Sequence, residues 1–75
     1  MAKTIKLVFF NPITLSKRVT NFIFNFDYYN HCWKVTISNL FGESTHNYSG
    51  SPMDLVERHK NNMLRIGEYA TIKVK

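Results

Sequence analysis

Apolar and polar residues alternate along most of this chain, and then the period changes. From Lys3 to Phe10, Ile5, Leu7 and Phe9 fall on one side, and Thr4, Lys6 and Val8 on the other. That period of two predicts a strand with one face in a core. Asn11-Pro12 breaks it, and Ile13 to Lys17 reads as a connector. The clearest strand runs from Arg18 to Tyr29. Phe22, Phe24, Phe26 and Tyr28 share one face, and Asn21, Asn25 and Asp27 share the other. Cys32 to Asn39 continues the pattern, with Trp33, Val35 and Ile37 opposed to Lys34, Thr36 and Ser38.

These two segments can be registered as a hairpin. A two-residue loop at Asn30-His31 pairs Tyr28 with Trp33, Phe26 with Val35 and Phe24 with Ile37. The same register sets Asp27 opposite Lys34 and Asn25 opposite Thr36, so aromatics meet β-branched residues inside and opposite charges meet outside. A slip of one residue would scramble both faces.

Phe41 to Gly50 is polar and turn-rich, with a short edge strand expected over Glu43 to Tyr48. Ser51-Pro52-Met53-Asp54 reads as a helix start: a capping serine, proline in the first turn and an acid in the capping-box position. The helix is expected to run to about Ile66 and to stop at Gly67. Leu55, Val56, His59, Met63 and Ile66 then form its apolar stripe. A last strand, Glu68 to Val74, would turn Ala70, Ile72 and Val74 inward. Tyr69, Thr71, Lys73 and Lys75 would face outward. The predicted fold is α+β: a small, twisted, mostly antiparallel sheet of four to five strands, in the order β-β-β-(β)-α-β. One helix packs on one face.

With no repeat or linker in 75 residues, the chain reads as one domain. Hydrophobic residues at 44% argue against disorder. No apolar run reaches the roughly 20 residues of a membrane span, and no signal-peptide pattern opens the chain. A cytoplasmic protein that does not enter a membrane is therefore expected. The lone Cys32 excludes a disulfide scaffold. Residues with AT-rich codons (Phe, Tyr, Met, Ile, Asn, Lys) far outnumber those with GC-rich codons (Gly, Ala, Arg, Pro). Together with the short chain opening on Met1, this points toward a phage or mobile-element accessory protein.

Candidate chemistry is sparse. His31 and Cys32 are neighbours, but on a strand they point to opposite faces, so they form no nucleophile–base pair. Asp54 and Glu57 sit at a helix N-terminus, where the macrodipole favours acids without any catalytic role. Three histidines and one cysteine show no metal-ligand spacing, and His59 on the apolar stripe reads as a half-buried core histidine. No glycine-rich phosphate loop is present. The expectation is a protein without enzymatic activity, metal or cofactor.

The surfaces are more informative. The chain carries a formal charge of +5. The row Phe22, Phe24, Phe26 and Tyr28 is assigned to the core beneath the helix. The other sheet face would carry Lys6, Lys34, Lys73 and Lys75 with Tyr69, a combination able to follow phosphates and stack a base. A second candidate is the outward helix face, where Met53, Arg58, Lys60, Leu64 and Arg65 suit a protein contact. Asp54 is expected to pair with Arg58.

The expected function is that of a small basic binding module whose acidic partner is nucleic acid or a nucleoprotein. The alternative is a protein–protein inhibitor that docks on a host or defence protein through the helix face. A homodimer through the helix patch is a further expectation, because so small a core has no disulfide or metal to support it.

Overall fold

The computed structural model describes residues 2–74. Lys75, one of the expected phosphate contacts, lies outside the described residues.

Five strands and one helix follow in the order β1 (Ala2–Asn11), β2 (Ser16–Asp27), β3 (Cys32–Asn39), β4 (Gly42–Tyr48), α1 (Pro52–Met63) and β5 (Tyr69–Val74). They build a single antiparallel sheet in the spatial order β4-β3-β2-β1-β5. This is the predicted α+β fold, with the expected short edge strand present as β4. Consecutive strands pair as hairpins. The last strand cannot, because α1 carries the chain from β4 at one edge to β5 at the other. Four strand spacings make roughly 19 Å, and twelve helical residues span about 18 Å, so the helix crosses one face of the sheet.

Ile5, Leu7 and Phe9 of β1, Phe22 and Phe24 of β2, Val35 of β3 and Val56 of α1 form the buried core. The period-two assignment therefore holds for the core positions of β1, β2 and β3. However, Tyr28, expected in the core row, is 69% exposed beyond the end of β2, Val74 is half exposed, and Val8 on the outward face is buried. Phe22 and Phe24 stack at 6.3 Å, and Trp33 meets both Phe24 and Phe26 edge-on.

The β2–β3 register differs from the expected one by two residues. Phe26 pairs with Trp33, Phe24 with Val35 and Phe22 with Ile37, while Asp27 faces Cys32 and Asn25 faces Lys34. The turn explains the shift. The Asp27 carboxylate accepts the backbone N–H groups of Tyr29 and Asn30 and the Asn30 side-chain amide. This Asx turn draws Tyr28 out of the strand, and His31 closes the loop at φ +53°. A two-residue type I′ loop would need positive φ at both Asn30 and His31, and among the described residues of the turn only His31 adopts it. A slip of two leaves every side chain on its own face, so the hydrophobic pattern does not distinguish the two registers.

The helix also stops earlier than expected. It ends at Met63, with Leu64 extended, and Ile66 is fully exposed in the turn before β5. Arg18 supplies the physical reason. Its Nη2 donates to the Met63 carbonyl at 2.9 Å and to Glu68 Oε1 at 2.6 Å, and its Nε donates to Glu68 Oε2 at 3.2 Å. The guanidinium lies 4.6 Å from the Phe9 ring centre. The Arg65 backbone N–H donates to the same carboxylate. One cation thus holds a terminal helix carbonyl, covers a core aromatic and ties β2 to the start of β5, at the helix end where positive charge is favoured. Gly67, at φ +86°, sits in the Arg65–Glu68 turn rather than at the helix stop.

Three groups set the response to acid. Glu68 is held below the usual carboxylate range, chiefly by its hydrogen bond to Arg18. Asp27 is lowered chiefly by its Asn30 hydrogen bonds. His59, edge-on to Phe22, is pushed below its ordinary 6.5 by burial and then by His46. A group with a lowered folded pKa binds more protons when unfolded, so each stabilises at high pH and withdraws that stability as pH falls. Thermal midpoints are expected to fall in two stages. The first begins below the ordinary histidine pKa, and the second below the ordinary carboxylate values. His59→Gln should remove only the first stage, and a flat profile down to the carboxylate range in the parent protein contradicts it.

Candidate functional site

The helix covers one face of the sheet, and the other is left open. On that open face the registers align residues in rows across the strands. Lys17 of β2 lies opposite Phe10 of β1, which lies opposite Tyr69 of β5. Two residues further along β1, Val19, Val8 and Thr71 form the next row. Then follows a row of Ser38, Asn21, Lys6 and Lys73. Phe10 is 38% exposed and Tyr69 69% exposed, although strand residues of this size are more often covered. The two aromatic positions are therefore neighbours on adjacent strands. Lys17 stands on one flank, and the Lys6–Lys73 pair stands two rows away.

Lys6, Lys34, Lys73 and Tyr69 all occupy the open face, as the sequence pattern indicated. The structure brings Lys6, Lys73 and Tyr69 into one neighbourhood. Lys34 stands apart, two strands and four residues from Lys6, roughly 16 Å by strand geometry. Asp27 is close enough to Lys34 for their charges to interact. Phe10 and Lys17 belong to the same cluster but were not among the expected contacts. Phe10 is the next outward position after Val8 at period two, a signal present in the sequence. Lys17 reaches the row only through the β1–β2 register.

The helix-face candidates are not brought together. Met53 packs against the core cluster, and Lys60 is half-buried. On the helical wheel Lys60 and Met53 lie about 40° and 60° from Val56, the residue at the centre of the buried side. Met53 and Leu55 lie on either side of Val56, and both pack against the core cluster. The outward pole consists of Asp54, Arg58 and Asn61, all exposed and polar. Leu64 lies at the helix C-cap and Arg65 in the following turn. Asp54 and Arg58 do not pair; among the described residues the only ion pair is Arg18–Glu68. The apolar helix patch expected to carry a homodimer is thus absent from the outward face.

Among the described residues no three of His, Cys, Asp and Glu gather as a metal-binding group. No helix among them is long and apolar enough to cross a membrane. The fold and its open face define the class to which the chain can be assigned: a small α+β domain with one helix-free, basic and aromatic sheet surface. No protein-family model, curated protein or solved structure matches the chain.

Proposed function

We propose that this protein is a non-enzymatic binding module that holds single-stranded nucleic acid, free or within a nucleoprotein, on its open sheet face. One observation carries the reading: exposed Phe10 and Tyr69 sit side by side between Lys17 and the Lys6–Lys73 pair. Flat rings at the spacing of adjacent strands offer bases a stacking platform, and lysines on both flanks offer the phosphates a counter-charge. Duplex DNA, whose bases are already stacked, would use only the lysines. The acids on this face, Asp27 and Glu43, lie away from the aromatic row, so they dilute the field least where the rings are. Docking through the helix face loses its main support with Met53 turned inward. Phage or mobile-element origin remains part of the proposal on the codon composition alone.

The test is a titration with a fluorescent oligothymidylate and its duplex counterpart across salt concentrations. For single strands log K is expected to fall against log salt with a slope of about −0.7 for each phosphate neutralised, or roughly −2 for the three clustered lysines. Lys6→Glu combined with Lys73→Glu should abolish binding without changing the circular dichroism spectrum. Absence of binding at low salt, or equal affinity for the duplex, overturns the proposal.

A further inference from the structure

Strand β2 is longer than its neighbour β3 can cover. It pairs with β1 along Ser16–Asn25, but with β3 only from Asn21 to Asp27. Among the described residues, Ser16–Thr20 therefore has a strand on one side only. At the lower end of this gap the chain turns from β3 into β4 through Leu40 and Phe41, which are 92% and 96% exposed. A hollow lies on each face of the gap. The one on the open face, about 420 Å³, is bordered by Lys17, Val19, Asn21, Ser38, Asn39 and Leu40. The one on the helix side is bordered by Arg18, Thr20, Phe41 and Met63, among others.

We infer that Ser16–Thr20 is a docking edge for an extended, acidic and apolar segment of a different protein, which adds a short strand to the sheet in line with β3. Two independent features converge on such an occupant. An uncovered edge offers backbone donors and acceptors that another strand satisfies. The side chains of an added strand alternate between faces, so successive residues would enter the open-face hollow beside Leu40 and the helix-side hollow beside Phe41 and Met63. Five residues of β2 accommodate about 17 Å of partner strand.

Charge selects the kind of segment. Lys17 borders the open-face hollow, Arg18, paired with Glu68, borders the helix-side one, and the chain as a whole carries a charge of +5. Glutamate or aspartate between apolar residues complements that surface. A second copy of this chain does not. Antiparallel pairing of two Ser16–Thr20 edges about a two-fold axis would set Arg18 against Arg18 and crowd two copies of Lys17 together. The edge of β5 is protected by Lys73 in the ordinary way, whereas the gap in β2 is bordered by exposed leucine and phenylalanine. Apolar rims around an open edge mark an interaction site rather than a protected one.

The experiment uses the full chain, labelled with nitrogen-15, and two synthetic seven-residue peptides. Both alternate valine or isoleucine with a charged residue, glutamate in one and lysine in the other. The glutamate peptide is expected to shift the amide signals of residues 16–20 and to slow their hydrogen exchange. It should bind about tenfold more tightly than the lysine peptide at low salt. Leu40→Ser with Phe41→Ser, both on an exposed turn, should weaken binding while leaving the spectrum of the rest of the sheet unchanged. Shifts confined to the β4 or β5 edge overturn the inference, as does no response at about 1 mM peptide. Equal binding of the two peptides overturns the charge argument. Concentration-dependent protection of residues 16–20 without any peptide would assign the edge to a second copy and overturn the foreign partner.

Discussion

Phe24→Ala is expected to remove most of the stability of this domain. Phe24 is fully buried between the sheet and the helix, stacked beside Phe22 and edge-on to Trp33. Truncation of such a ring costs about 3–5 kcal/mol, because it loses the transfer free energy and leaves a cavity that a stiff sheet fills poorly. Small domains have roughly 5–15 kcal/mol in total, so the variant should melt far below the parent or fail to accumulate as folded protein. Phe24→Leu, which keeps most of the volume, should recover much of the loss. Urea unfolding of the three proteins decides it. A loss under about 1 kcal/mol for the alanine variant, the range of surface substitutions, would mean that this face is not the core.

The second large effect concerns binding. Phe10→Ala and Tyr69→Ala are each expected to weaken single-stranded oligonucleotide binding by roughly 1–3 kcal/mol, the range measured for removal of one stacking ring. Both side chains are exposed on the helix-free face, so thermal stability should change little. The salt slope should stay as it is, because no lysine is touched. This combination separates stacking from charge: the aromatic variants lower affinity at every salt concentration, and the lysine variants flatten the salt dependence. If the double aromatic variant binds as tightly as the parent, the rings are not a platform and only non-specific charge attraction is left.

The Arg18 network has a bearing on both surfaces. It holds the helix end, the β2 strand and the turn before β5 together, at the same end of the sheet as the Lys17–Phe10–Tyr69 row. Arg18 falls on the inward face of β2, four residues before Phe22. A cation on a core face calls for a partner, so its importance was legible in the pattern. The partner was not, because Glu68 lies fifty residues away and meets Arg18 only when β5 docks beside β1.

Alternation determined which side of the strands is buried, and this assignment holds for the core positions from Ile5 to Ile72 but not for Tyr28, which the Asp27 turn takes out of β2. The reason is physical: burying a polar face is costly, so a period-two sequence has only one stable orientation against the helix. The same argument separated Lys6, Lys34, Lys73 and Tyr69 from the core. It could not set the β2–β3 register, because a slip of two preserves every face, and the decision passed to the Asp27 turn. Nor could it end the helix. Ile66 continues the apolar stripe, yet the helix ends at Met63, whose carbonyl Arg18 holds while it pairs with Glu68. The Lys17–Phe10–Tyr69 row and the uncovered edge at Ser16–Thr20 likewise arise only in the assembled sheet. Each depends on which strands lie side by side and where each ends, and no periodicity within a single strand encodes that.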